Sequence, residues 1–263
     1  MKKILIIGKN SFIGSNLNRY LKKFYEVKCL SFEKVINKEN NFFQNFNYVI
    51  NTSIHKKYID QRYKLTFDLD RKFIQKFTNL NFIYIFLNSR KIYLSNSKIS
   101  ENSKKKPLCF YSKNKLTTEK FLKKKLGSKL LSLRVSNIIG PKLKKNKRNN
   151  HKLFFDNYLK MRKQNKPIVI NDDFKDFLSI DQFSKIIQSL IKNNVSGIYN
   201  VSISEKIYLS EMLKWIDKNF YKKIVFLKES KESFYLSNKK LLKKIEKKPL
   251  KSELRKFCEK ILK

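Results

Sequence analysis

No alanine occurs in this sequence, and glycine (5), proline (4), cysteine (3), histidine (2) and tryptophan (1) are all scarce among its 263 residues. Each scarcity excludes something. Cys29, Cys109 and Cys258 are odd in number, far apart and without a C-x-x-C pair, so neither a disulfide framework nor a zinc site is indicated and a reducing setting is expected. His55 and His151 have no cysteine near them in sequence with which to ligate a metal. No run of 18 apolar residues exists, so no membrane span is expected. The N-terminus opens straight into an apolar strand pattern with no signal-peptide segment, and a cytoplasmic protein is the expectation. Acidic residues are scarce too: 21 Asp and Glu stand against 61 Lys and Arg, a net charge of +40.

What is abundant is apolar or basic. A hydrophobic content of 41%, with 22 Phe and 13 Tyr, can build a sizeable core, so one large globular domain, alone or with a small appendage, is expected rather than a disordered chain. The charge raises nucleic-acid binding, because clustered Lys and Arg neutralise phosphates. Here the lysines run through the whole chain instead of one stripe, and Lys, Asn, Ile, Phe and Tyr are the residues of A/T-rich codons. Net charge speaks to non-specific association and not to fold. Specific nucleic-acid binding is therefore not the expected role, and a non-catalytic protein that binds RNA or another polyanion is the competing reading.

The chain is organised around its first residues. The apolar run Lys3-Ile4-Leu5-Ile6-Ile7 ends at Gly8, a second glycine follows at Gly14, and Leu17, Tyr20, Leu21 and Phe24 then recur at helical spacing. Strand, tight turn and helix in that order aim the free N–H groups of a helix start at one spot, a site for phosphate or pyrophosphate. The dinucleotide fingerprint has three glycines. Ser11 stands where the middle one would be.

Val27 to Leu30 reads as a second strand, ended by Ser31 where an acidic residue would meet an adenosine ribose. Glu33 lies two residues on, and Lys9 or Lys34 could meet a 2′-phosphate, so NAD and NADP both stay open. Residues 32–45 leave room for one short helix, so an edge strand of the sheet is expected to be missing. Further strands are expected at Tyr48–Asn51, Phe82–Leu87 and Leu130–Val135. Helices are expected from Asp68, as cap, through Phe77 and from Tyr111 to Lys125. Beyond a basic loop at Lys142–Lys152, the pattern predicts a helix over 153–162 and a strand at Ile168–Ile170. Next come a helix capped by Asp181, a strand at Ile198–Val201, a helix over 209–220, a strand at Ile224–Phe226 and two terminal helices. Alternating strands and helices define an α/β, doubly wound architecture.

Tyr111 and Lys115, four apart at a helix start, share one face. An isolated tyrosine titrates near pH ~10, and a neighbouring ammonium favours its phenolate, which can exchange a proton with a sugar hydroxyl or carbonyl. Ser89, just past a strand's C-terminal end, could hydrogen-bond the same oxygen. Asp172 and Asp173 are expected as turn residues, and Trp215 as packing.

Several segments, in order, resemble the extended short-chain dehydrogenase/reductase family, the NAD-dependent epimerase/dehydratase group of nucleotide-sugar type. They are the Gly8 turn with Phe12-Ile13-Gly14, Phe86 to Tyr93 with Ser89, and Tyr111-Ser112-Lys113-Asn114-Lys115 followed by Glu119. Leu133 to Pro141 with Asn137, Lys175-Asp176-Phe177 where the family has Arg-Asp-Phe, and Gly197 to Val201 complete the series. The resemblance implies a Rossmann-type doubly wound parallel sheet over residues 1–150, with 171–196 returning to it and 151–263 forming a smaller substrate lobe. It implies catalysis by Ser89, Tyr111 and Lys115, with cofactor contacts at Gly8, Asn10, Ser11, Phe12, Ile13, Gly14, Thr52 and Lys115. A nucleotide-diphosphate sugar would be met by Asn137 and Lys175. Pairing into a homodimer through the Tyr–Lys helix and a role in surface polysaccharide synthesis are further expectations. Arg90 and Lys91 stand where family dehydratases carry an acidic pair, which points away from 4,6-dehydration and towards 4-keto reduction or epimerisation.

Overall fold

A computed structural model of the protein describes residues 1–77, 80–94, 98–141, 154–165, 167–219, 224–227 and 233–261. The expected Lys142–Lys152 loop and His151 lie outside them. The chain begins with β1 (Lys3–Ile7), α1 (Phe12–Leu21), β2 (Glu26–Leu30) and α2 (Phe32–Ile36). It continues through β3 (Tyr48–Asn51), the short α3 (Lys56–Asp60), α4 (Leu69–Lys76), β4 (Ile83–Ser89), α5 (Phe110–Leu126) and β5 (Leu130–Val135). Residues of β1 alternate between two cores: Ile4 and Ile6 face one cluster, Leu5 and Ile7 the other. That two-residue period is why both faces of the sheet can be covered by helices.

After β5 come β6 (Asn137–Ile139), α6 (Phe154–Lys163), β7 (Ile168–Asn171), β8 (Phe174–Lys175), β9 (Phe177–Ser179) and α7 (Ile180–Lys192). The chain ends with β10 (Gly197–Val201), β11 (Ile207–Tyr208), α8 (Leu209–Ile216), β12 (Ile224–Leu227), α9 (Lys239–Leu242) and α10 (Lys251–Lys260). The main sheet has the order β10-β5-β4-β3-β1-β2 and every neighbouring pair in it is parallel. It stops at β2: between β2 and β3 the chain makes only α2 and a 3₁₀ turn at Asn40–Phe43. Phe43 from that turn packs on Phe73 and Phe77 of α4, with ring centroids 5.4 and 4.3 Å away, in the core under one face of the sheet. The stretch between β2 and β3 is taken up by these two short elements, and among the described residues the edge strand expected to be missing is absent.

From β1 the chain runs outward to β2, then crosses to β3 on the other side of β1. That reversal makes the C-terminal ends of β1 and β3 the switch point of the sheet, whose crevice is where ligands bind in open α/β sheets. Beyond β5 three small pairings form, β6 with β9, β7 with β12, and β8 with β11. Helix α7 packs on α1, β10 joins the main sheet, and one apolar core runs from Ile6 and Leu133 to Tyr158, Ile170 and Met212.

Three local expectations are corrected. Ser179, not Asp181, caps α7: its Oγ accepts the Gln182 N–H at 3.1 Å while the Gln182 side chain accepts the Ser179 N–H. That reciprocal pairing satisfies two otherwise free donors, which an aspartate inside the first turn cannot do. Helix α8 ends at Ile216, because Asp217 turns to extended backbone and its carboxylate takes the Asn219 N–H. Phe24 lies beyond α1 and is 45% exposed. Among the described residues no helix is long and apolar enough to cross a membrane, and no cluster of three or more His, Cys, Asp or Glu could hold a metal ion.

Candidate active site

The turn after β1 is closed by hydroxyls. Gly8 has φ +118°, a conformation that favours glycine, and a Cβ there would collide with the Thr52 hydroxyl. A Cβ on Gly14 would strike the Gly8 carbonyl and the Thr52 and Ser11 hydroxyls. The Thr52 Oγ donates to the Ile7 carbonyl at 2.8 Å, so its proton is committed. Ser11 must then donate to Thr52 at 2.7 Å while its own oxygen accepts the Gly14 N–H at 2.8 Å. Ser11 has φ −75° and ψ 152°, extended backbone that any residue adopts, so a glycine is not required there. The serine is the cap of α1. It takes up the third N–H of the helix and leaves those of Phe12 and Ile13 without an intrahelical acceptor. Two outward N–H groups and a turn without side chains at positions 8 and 14 fit a pyrophosphate.

At the end of β2, Ser31 caps α2 by accepting the Lys34 N–H, and Glu33 is exposed in its first turn. His55 caps α3 through Nδ1 and stacks on Phe67.

Ser89 closes β4 and Tyr111 opens α5, which packs along β4 and against the 3₁₀ turn Arg90–Ile92 that follows Ser89. The Ser89 Oγ accepts the Lys91 N–H at 3.2 Å, and the Ser89 N–H is held by Asn88 Oδ1 at 2.7 Å. Asn88 in turn donates to Glu119 at 2.7 Å. Glu119, one turn beyond Lys115, also accepts from Ser132 at 2.7 Å and from Arg134, whose NH2 lies 2.6 Å from its second oxygen. Burial would push the Glu119 carboxyl up, but the Arg134 guanidinium with Ser132 and Asn88 holds it below its ordinary value. Arg134 reaches on to the Tyr93 hydroxyl at 2.6 Å, and Tyr93 donates to Asn200 at 3.0 Å. This buried network ties β4, β5, β10 and α5 together directly behind Ser89. Arg90 is buried with its guanidinium 3.6 Å from the ring centroid of Phe234. Lys91 is exposed.

Lys115 is buried and its Nζ lies 3.9 Å from Asp70 Oδ2, over the ring of Phe86 at 4.4 Å. Asp70 carried no motif, yet its position was a signal. Positions 70, 73, 74 and 77 form one stripe with Phe73, Ile74 and Phe77, and a charge on such a stripe needs a partner.

Asn137 and Lys175 are brought close by strand pairing: β6 lies beside β9 with Asn137 opposite Phe177, and the Asn137 N–H bonds to the Asp176 carbonyl at 3.3 Å. Lys175 Nζ is 4.0 Å from the buried Asp173. Asp172 caps α8 through the Ser210 N–H and hydroxyl, so neither aspartate is only a turn residue. Asp176 is fully buried and accepts three backbone N–H groups, from Ile203, Ser204 and Leu236. Burial pushes its carboxyl up to about 7 against the pull of those bonds.

Fold and crevice together define an α/β protein with a dinucleotide-type turn at the switch point of a parallel sheet. Solved structures similar to the chain over nearly its whole length are nucleotide-sugar enzymes. A UDP-N-acetylglucosamine 4-epimerase from Methanobrevibacter ruminantium M1, in complex with UDP-N-acetylmuramic acid, is 18% identical with a TM-score of 0.80, covering 99% of this chain and 97% of that one. UDP-glucuronic acid 4-epimerase from Bacillus cereus, in complex with UDP-glucuronic acid and NAD, is 18% identical with a TM-score of 0.78, covering 98% and 97%. A dTDP-glucose 4,6-dehydratase from Bacillus anthracis str. Ames, in complex with NAD, is 14% identical with a TM-score of 0.77, covering 100% and 96%. No family model and no curated protein matches the sequence. At these identities the likeness establishes the fold, the Rossmann-type doubly wound sheet implied by the motifs.

Proposed function

We propose that this chain is an NAD-dependent nucleotide-sugar epimerase or 4-keto reductase of the extended short-chain dehydrogenase/reductase family, acting on a UDP- or dTDP-type sugar. The observation that carries the reading is the packing of the helix that has Tyr111 in its first turn against β4, which ends at Ser89, and against the turn that follows Ser89. The turn of Gly8, Asn10, Ser11 and Gly14, with the N–H groups of Phe12 and Ile13, holds the dinucleotide's pyrophosphate, and Thr52 braces it. When bound, NAD supplies reversible hydride transfer beside the sugar. The chain's own part is acid–base and positional. Ser89 donates a hydrogen bond to the reacting oxygen, Tyr111 takes or returns its proton, and Lys115 sets a positive charge on the same helix face as the phenol. Asn137 and Lys175 meet the diphosphate of the sugar nucleotide, Lys175 as a point charge where an arginine would bind two oxygens at once. Residues 151–263, less the returning 171–196 and the main-sheet strand β10, form the substrate lobe.

With Arg90 and Lys91 after Ser89, no carboxylate stands there to remove a ring proton, so reduction or epimerisation at C4 fits better than dehydration. Thermal shift with NAD⁺, NADH, NADP⁺ and NADPH tests the reading first, and the largest shift is expected with the NAD pair. Tyr111→Phe is expected to abolish turnover of a 4-keto or 4-hydroxy sugar nucleotide while leaving the NAD shift intact. No shift with any dinucleotide, together with salt-sensitive RNA binding, would hand the chain to the polyanion-binding alternative.

A further inference from the structure

Asp70 sits in the inward-facing row of α4 beside Phe73 and Ile74, both buried. A carboxylate in such a row is unfavourable unless paired. Its partners come from three other elements. The Tyr84 hydroxyl of β4 donates to Oδ1 at 2.7 Å and Asn51 Nδ2 of β3 donates to the same oxygen at 2.9 Å. Lys115 of α5 lies 3.9 Å from Oδ2, with both charged side chains 7% exposed. The rings of Phe86 and Tyr58 enclose the ammonium, at 4.4 and 5.7 Å from their centroids. The other titratable groups facing the pair are Asp68, the cap of α4, and the phenols of Tyr58 and Tyr84, with Tyr111 next to Tyr58. Asp68 is already engaged by Thr118, Tyr63 and the Arg71 N–H. Burial raises the Asp70 carboxyl and the Lys115 ammonium opposes that rise. Asn51 completes the link to the crevice: its Oδ1 holds the Ser53 N–H, next to the Thr52 that braces the glycine turn.

We propose that Asp70 is a positioning residue of this site, the buried counter-charge that anchors the side chain of Lys115 beside the C-terminal end of β3. It rests on the reading of Lys115 as the working lysine. Acidic control of that lysine comes from inside the fold, from a helix that carries none of the motif residues.

A buried amine deprived of its counter-charge sheds its proton more readily and becomes a nucleophile. The test is trace acylation of the cofactor-free protein with acetic anhydride at about pH 8, read peptide by peptide, with Lys115 normalised to the exposed Lys113 of the same helix. Asp70→Asn is expected to raise the relative rate at Lys115 about tenfold or more. Leu122→Ala opens the core on the same helix seven residues along without removing a hydrogen-bond partner of the pair or of its neighbours, and is expected to leave the rate within about twofold. Asp70→Ser, which also removes the charge, serves if the amide variant does not fold, with the same expectation. An unchanged rate in the Asp70 variants, or an equal rise in Leu122→Ala, overturns the inference. Acylation needs neither cofactor nor turnover, so the two readings fail separately. An Asp70 effect with turnover retained in Tyr111→Phe sinks only the functional reading, and no Asp70 effect with turnover lost in Tyr111→Phe sinks only this one.

Discussion

Helices α5 and α7 lie on opposite faces of one sheet and bury opposite chemistry. Helix α7 turns Ile180, Phe183, Ile186, Ile187, Leu190 and Ile191 inward, an apolar stripe flanked by buried Gln182, Ser184 and Ser189. Helix α5 turns inward Ser112, Asn114, Lys115, Thr118 and Glu119, with Leu122 as its one fully apolar buried residue. The first helix is held by area removed from water. The second is held by partners, since each buried polar group would destabilise the fold without one. A helix that buries polar groups on a sheet face is one whose side chains must be aimed, and α5 carries the residues assigned here to proton transfer.

The contrast can be broken in order of expected effect. Arg134→Ala leaves Glu119 charged and unpaired in the interior and should destabilise by about 3–5 kcal/mol in a denaturant titration. Turnover per folded molecule should fall with it, because Glu119 holds Asn88 and Asn88 holds the Ser89 N–H. Leu190→Ala on α7 should remove roughly 3 kcal/mol by cavity formation while turnover per folded molecule stays at the wild-type level. If activity fell as steeply there, the division between a stabilising and a working helix would be wrong.

Asp176, which leads into α7, adds a pH dependence. Its folded-state carboxyl titrates at about 7 against an ordinary 3.8, so its proton-linked stability is fully present below about pH 4 and is lost as pH rises through about 7. Wild type should therefore lose about 2 kcal/mol between pH 5 and 7 relative to Asp176→Asn, measured by urea unfolding at both pH values. The two serine caps give the smallest effect. Ser179→Ala and Ser11→Ala should each lower stability by about 1 kcal/mol. Only Ser11→Ala should also weaken NAD in calorimetry, because it removes the hydroxyl that ties the glycine turn to Thr52 and Gly14.

The fold was readable wherever local signals agreed. The β1 run, the Asp68 cap, the long α5 and the short stretch between β2 and β3 all stand where the pattern places them. Errors came at element ends, as with Ser179 and Ile216, where a cap is decided by which donor finds an acceptor. Of the candidate site, residue types and spacing singled out Gly8, Ser89, Tyr111 and Lys115 as the residues to propose. Asp70 was visible only as a charge on an apolar stripe, and Arg134 only as a charge within a strand that is otherwise apolar but for Ser132.

By itself the sequence determined the order of strand, turn and helix, because hydrophobic periodicity and capping act over a few neighbouring residues. Only the tertiary structure decided which distant groups meet: Asp70 with Lys115, Glu119 with Arg134, Asn137 beside the Lys175 segment, and Ser11 with Thr52. Those meetings depend on parallel pairings between strands far apart in the chain, which set the register and bring each buried charge to its partner.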